Sequence, residues 1–338
     1  MLTRRTIVPE AAVDAAFAPL AQANALLLAV SGGPDSTALL VVAQAWARRR
    51  GGAPRLEAAT VDHGLRPESA AEAGAVAELC GRLGVPHHTL LWQGPKPATR
   101  LQERAREARY SLLARQAQAI GAGFVVTGHH LDDQAETVLF RLMRGSGIAG
   151  LRGMGALTPR DGVTIARPLL AFAKATLVAA CEDAGVAFAR DPSNEDPRYA
   201  RARLRALTGA LAIEGLDAPG LARLARRAAQ VEEALARQTA VAEERLRLIE
   251  TGACEARTLC EEPIEIVQRL LTASIAKVGG KPVRDVSLEQ IEALALGLRG
   301  AVANGNTFSA NVAGARVRHD ARGFAHIEPE PPRRTREN

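Results

Sequence analysis

In the first half of the chain, apolar residues fall into short unbroken runs. These alternate with longer stretches where apolar positions recur every three or four residues. Leu26-Leu27-Leu28-Ala29-Val30 is the first run, and five consecutive apolar residues predict a strand buried on both faces. Leu56 to Val61, residues 87–91, Phe124 to Thr127 and Thr164 to Leu170 predict four more. Residues 1–24 read as a short helix feeding the first strand. Further helices are expected from Pro34 to about Arg49, over 68–83, over 99–120, up to about Met143 and over 172–184. Strands alternating with helices imply an α/β fold with a parallel, doubly wound sheet.

Beyond Arg190 the alternation stops. Residues 199–210, 219–250, 263–278 and 287–298 read as helices, with a linker at 211–219. Thr307 to Glu328 alternates weakly, as two or three short strands would. The expected organisation is an α/β domain over 1–210, a helical region over 211–300, a strand-containing segment over 301–328 and a disordered basic tail over 329–338.

The first strand runs into Ser31-Gly32-Gly33-Pro34-Asp35-Ser36 and then a helix. Gly32 and Gly33 allow a sharp turn and close approach of a ligand to the backbone. Pro34 suits a first helical position, where its missing N–H costs nothing. Free N–H groups at a helix N-terminus, with the Ser31 and Ser36 hydroxyls, make an anion site suited to phosphate. This is not the common ATPase loop, because no lysine adjoins it in sequence; the chain's lysines are Lys96, Lys174, Lys277 and Lys281. Asp35 beside a phosphate site makes sense if a Mg²⁺ lies between them.

Three segments directly follow predicted strands: 31–36, Asp62-His63 and Gly128 to Asp133. Ligands of open α/β sheets bind outside the carboxyl ends of the strands, so these segments should meet. The last of them, Gly128-His129-His130-Leu131-Asp132-Asp133-Gln134-Ala135-Glu136, packs two histidines and three acids into nine residues. Asp132 and Glu136 share a helix face, and Asp133 nearly does. Helix capping alone would explain one Asp here; the whole set fits an acidic pocket for a cationic substrate and Mg²⁺. On the helix over 99–120, Arg106 and Arg109 share a face, and Arg109 is the candidate for reaching a phosphate or a carboxylate. Arg144, Arg201, Arg203 and Arg205 are candidates for an RNA backbone.

Composition narrows the class. The chain has 338 residues, 47% hydrophobic, enough for two or three domains with proper cores. Net charge is +6, mostly from arginine, and leans toward a polyanionic partner. Aromatics are only 3%, which argues against base-stacking single-strand modules. Cys80, Cys181, Cys254 and Cys260 form no Cys-x-x-Cys pair, which makes disulfide scaffolds and zinc ribbons poor readings and points to a reducing cytoplasm. No apolar run approaches the ~20 residues of a membrane span, and no signal-peptide pattern is present.

Ser31–Ser36 resembles the pyrophosphate (PP) loop of the ATP pyrophosphatases. In order along the chain come Asp62-His63-Gly64-Leu65-Arg66, Ala105-Arg106 with Arg109-Tyr110, His129 to Thr137, Arg144-Gly145-Ser146-Gly147, Arg167-Pro168-Leu169-Leu170 and Asp191-Pro192-Ser193-Asn194. Over residues 24–210 this series resembles the tRNA(Ile)-lysidine synthase family, although Ala202 stands where that family often has Asn. The resemblance implies an adenine nucleotide alpha hydrolase-like fold, ATP and Mg²⁺ as cofactors, and L-lysine and the CAU-anticodon isoleucine tRNA as substrates. Ser31 to Ser36, Asp62, His63, Gly128 and His129 would bind ATP, with Asp35 on the metal. Asp35, Arg109, Asp132, Asp133 and Glu136 would be catalytic. The alternatives are a tRNA 2-thiocytidine-type sulfur transferase, disfavoured by the missing Cys-x-x-Cys, an amide ligase that does not act on RNA, and a nucleotide-binding module without catalysis.

Overall fold

The computed structural model describes residues 8–64, 69–94, 96–97, 99–189 and 200–331. The chain forms two compact units, residues 1–146 with 150–226, and residues 147–149 with 227–338. The division falls inside a helix, at 226–227, and not at 210.

In chain order the first unit contains α1 (Glu10–Phe17), β1 (Ala25–Ala29), α2 (Pro34–Arg49), β2 (Arg55–Asp62), α3 (Ser69–Leu83) and β3 (His87–Leu91). Next come α4 (Leu101–Ala119), β4 (Phe124–Thr127), α5 (Leu131–Leu142), the single turn α6 (Ile148–Leu151), of which only Gly150 and Leu151 belong to this unit, β5 (Leu157–Arg160) and β6 (Val163–Ala166). Helices α7 (Lys174–Asp183), α8 (Ala200–Ile213) and the start of α9 (Ala218–Leu246) follow. The sheet order is β3-β2-β1-β4-β6-β5, parallel except for β5.

Alternation along β1 explains why all of it is apolar. Leu26, Leu28 and Val30 pack with α1, α2, α3 and α7, whereas Ala25 and Leu27 face α4 on the other side. Both faces are covered, so neither can be polar. Each fully buried leucine contributes about 1.5–3 kcal/mol.

The expected fifth strand, 164–170, is shorter here, spanning 163–166. Pro168 has no N–H to continue the ladder, and a 3-10 turn over Pro168–Ala171 replaces it. The neighbouring β5 escapes a pattern reading because Leu-Thr-Pro-Arg has no strong strand signature; Pro159 is tolerated there because β5 is an edge strand. The glycine-rich stretch 145–155 contains α6. Leu65, Arg66, Pro67, residues 190–199, the Arg201 side chain and residues 332–338 of the expected tail lie outside the described residues. Pro329, placed at the start of that tail, ends a strand.

The second unit holds the rest of α9, α10 (Leu248–Thr251), β7 (Ala253–Glu255), α11 (Ala256–Glu261), α12 (Ile264–Gly279), α13 (Leu288–Ala303), β8 (Phe308–Val312), β9 (Ala315–His319) and β10 (Phe324–Pro329). The helix expected to run to 250 breaks at Arg247, whose φ of 52° is left-handed. An antiparallel sheet, β7-β10-β9-β8, shares one core with α12 and α13, built on Leu270, Leu271, Ile291, Leu294, Val317 and Ile327. The strands expected over 301–328 therefore complete the hydrophobic core of the helices before them.

Candidate active site

The strand order fixes where a ligand can go. From β1 the chain winds outward through β2 and β3, then returns to place β4 on β1's other side. The crevice outside the carboxyl ends of β1 and β4 is this switch point. Both segments expected to carry chemistry, 31–36 and 128–133, begin there.

Gly32 takes φ +83°, open to glycine at little cost. Gly33 is the N-cap of α2 and Pro34 its first residue. The Ser36 hydroxyl donates to the Gly33 carbonyl at 3.1 Å and accepts from the Ser31 N–H at 3.0 Å, which fixes the bend. The first N–H groups of α2 have no partner inside the helix and face a cavity of about 430 Å³. Ser31, Gly33, Pro34, Asp35, Ser36, His63, Arg109, Gly128, His129 and Asp133 line it. Ala29, the last residue of β1, and Ala59 within β2 line the cavity beside Tyr110 and Leu113, small side chains that suit a flat group such as a base. Asp62 does different work: it accepts from the Gly64 N–H at 2.8 Å and the Ser69 hydroxyl at 2.6 Å. Those bonds, the Ser69 one foremost, hold its pKa below the usual carboxylate range.

Gly128 joins the two segments. A β-carbon there would lie 2.5 Å from the Asp35 carbonyl oxygen and 3.1 Å from the Ser36 nitrogen. Only glycine lets the end of β4 lie this close against the bend.

His130 is the residue that sequence reasoning passed over. It caps α5 and is 1% exposed. Its ring nitrogens lie 3.3 Å from Asp35 Oδ1, 3.5 Å from Asp132 Oδ2 and 3.4 Å from Asp133 Oδ2. Burial opposes charge on the ring, but the carboxylates of Asp132, Asp35 and Asp133 outweigh it and raise the pKa to about 9. The Asp133 N–H lies 3.4 Å from Nδ1, a contact that would suit a neutral ring. Three surrounding carboxylates favour the charged one. Burial works against the charge of Asp35 in turn, and His130 and Lys174 reverse that and depress its pKa. Lys174 was also missed: it lies 139 residues from Asp35 in sequence, yet its Nζ comes within 3.4 Å of Oδ1. Only the fold could reveal either pairing.

The acids expected to act together divide between two places. Asp133 lines the first cavity. Asp132 and Glu136 line a second, of about 450 Å³, with Lys174, Arg205, Val178, Phe188, Leu216 and Leu221. Asp132 accepts from the Lys174 N–H at 2.8 Å. Glu136 is held by Arg205 through two bonds, at 2.5 and 3.2 Å. Arg205 thus faces a carboxylate. Arg203 is exposed. Arg144 is exposed too, its guanidinium 4.0 Å from the Phe140 ring centroid.

A parallel sheet with a glycine bend at the switch point and an acid in the first turn of the following helix defines a PP-loop domain, and a family profile of that description matches residues 7–211. Whole-chain relatives narrow this further. The chain is 46% identical to the tRNA(Ile)-lysidine synthase of Bradyrhizobium sp. strain BTAi1, over 97% of this chain and 96% of the relative. It is 47% identical to that of Rhodopseudomonas palustris, over 95% and 94%. The chain belongs to the tRNA(Ile)-lysidine synthase family. A solved structure, the U34-tRNA thiolase NcsA from Methanococcus maripaludis with its [4Fe-4S] cluster, shares the fold (TM-score 0.54, 18% identity, 64% of this chain and 77% of that one). No helix among the described residues is long and apolar enough to cross a membrane.

Proposed function

We propose that the chain makes lysidine on the CAU-anticodon isoleucine tRNA from ATP and L-lysine, as its relatives' name implies. The observation that supports this most is the packing of Gly128 and His130 against Asp35, which brings the bend and the acidic segment together as a single reaction centre would require.

The reaction has two steps. The C2 carbonyl oxygen of the wobble cytidine attacks the α-phosphate of ATP, and pyrophosphate leaves. The ε-amine of lysine then attacks C2, AMP leaves, and the amine gives up a proton. The N–H groups of α2 and the Ser31 hydroxyl hold the pyrophosphate where negative charge develops, on a bend that the Ser36 hydroxyl fixes. Arg109, which lines the same cavity, would add a positive charge to it.

Asp35 would hold a Mg²⁺ beside the phosphates: its Oδ1 is buried with no hydrogen bond, and its ion pairs with His130 and Lys174 keep it charged. No group of three or more His, Cys, Asp or Glu among the described residues could hold a metal alone. When bound, Mg²⁺ would draw electron density from the phosphates.

The second cavity suits lysine. Val178, Phe188, Leu216 and Leu221 offer an apolar wall to its four-carbon stem, Asp132 a carboxylate to its ammonium, and Lys174 a cation to its carboxylate. Asp132 has a depressed pKa, set chiefly by His130, so it holds the ammonium better than it accepts the proton. The reaction would run in the cytoplasm, where four free cysteines are stable.

The test is incubation with ATP, labelled lysine and anticodon variants of isoleucine tRNA. Lysine should enter tRNA only when CAU is present, with pyrophosphate release dependent on tRNA. Pyrophosphate release with lysine but no tRNA would instead identify an amide ligase.

A further inference from the structure

The end of β3 carries an aromatic group that the first cavity leaves over. Trp92 follows β3 directly, and its backbone N–H donates to the Asp62 carbonyl at 2.9 Å. It therefore stands at the same sheet edge as the phosphate-binding bend. Its ring meets the His63 imidazole edge to face, with centroids 5.9 Å apart. His63 in turn lines the cavity. Lys96 folds back over the indole: its Nζ donates to the Trp92 carbonyl and lies 4.1 Å from the ring centroid.

The placement is unusual for this chain, which has only two tryptophans. Trp46 is 1% exposed and packs on Phe17. Trp92 is half-buried and belongs to none of the hydrophobic cores of the described residues. Among the described residues its ring partners are the His63 imidazole and the Lys96 ammonium. Burial, together with the charges of Arg109 and Lys96, lowers the pKa of His63, so the edge that Trp92 meets is a neutral imidazole near pH 7.

A flat π surface with a movable cation, beside the mouth of a nucleotide cavity, matches an unstacked RNA base and its adjoining phosphate. We infer that Trp92 and Lys96 form a stacking platform for an anticodon-loop base adjacent to the one that enters the cavity. Lys96 leaves the indole and pairs with the phosphate of that base, while His63 stays against the ring. This deepens the proposed function and rests on it. The low aromatic content argues against a base-stacking module but leaves room for one such platform.

Tryptophan fluorescence of the full chain, titrated separately with an anticodon stem-loop RNA and with ATP, tests the platform. Stem-loop RNA should quench the wild type saturably, and the quench should vanish in Trp92→Leu. In lysine transfer, Trp92→Leu should raise the KM for tRNA by on the order of tenfold or more. The KM for ATP should stay within about twofold, the error expected of an uncoupled site. Trp92→Phe should recover most of the loss, because it keeps a stacking face. If Trp92→Leu does not fold, the wild-type quench and the Trp92→Phe values decide. No quench by RNA, or quench by ATP alone with a raised KM for ATP, overturns the platform. Absence of any lysine transfer by the wild type overturns the proposed function and leaves the quench readable.

Discussion

The phosphate-binding bend and the start of α5 meet at one place but are built by different physics. The bend is a backbone device: a glycine at φ +83°, a proline in the first helical turn and serine hydroxyls bonding within six residues. The start of α5 is a charge device, in which one buried histidine is shared among Asp35, Asp132 and Asp133. A backbone device is local and should tolerate changes of charge. A charge device is assembled from distant segments and should respond to pH and to the loss of any partner.

The largest effect should come where the two devices share an atom. Asp35→Ala removes the candidate metal ligand and the partner of His130. Lysine transfer should fall by at least about 10²–10³-fold, the scale of losing one preorganised electrostatic group. The circular dichroism spectrum should be retained, and transfer near the wild-type rate would separate Asp35 from the chemistry. Gly128→Ala attacks the backbone device from the far side. Its β-carbon meets backbone atoms at 2.5 and 2.9 Å, with no flexible side chain to yield. Urea denaturation should show a loss of about 1–3 kcal/mol, and ATP binding should weaken with it. A variant as stable as the wild type would show that the two segments can part without cost.

These two positions also show how much could be read without coordinates. The bend was readable because its signal is contiguous: an apolar strand, two glycines, Pro34, Asp35 and Ser36. The meeting of 31–36 with 128–133 followed from the rule that ligand loops gather at strand carboxyl ends. Lys174 and His130 were not readable as partners of Asp35, since nothing local marks a lysine 139 residues away or tells a buried histidine from the exposed kind. Arg205 looked like a phosphate contact on a basic helix, and only packing reveals Glu136 opposite it. Strand β7, three residues long, carries too little pattern to be seen.

Smaller effects sharpen the contrast. Glu136→Ala leaves Arg205 without its carboxylate. Breaking a fully buried pair costs about 3–5 kcal/mol, and partial exposure of Arg205 should reduce this to about 2 kcal/mol. Arg205→Met should cost less, and equal melting temperatures for wild type and Glu136→Ala would remove the pair from the account. The pH dependence should be gentler still. The His130 pKa rises on folding from 6.5 to about 9. Its contribution is therefore complete below pH 6.5 and fades as pH rises through about 9. Asp35 and Asp132 are depressed from 3.8, so theirs is present above that pH and fades in acid. Metal-free wild-type protein should lose stability between neutral pH and about 9.5 more steeply than His130→Gln. Parallel curves would place the histidine charge elsewhere.

Energetic coupling between the two segments is the most direct measure of whether they form one site. A double-mutant cycle of Asp35→Asn and His130→Gln, followed by urea denaturation of the metal-free protein at pH 7, isolates it. With the side chains 3.3 Å apart, a coupling above about 1 kcal/mol is expected. Effects that simply add, to within about 0.3–0.5 kcal/mol, would mean that the bend and the acidic helix start stand independently and that no common reaction centre exists.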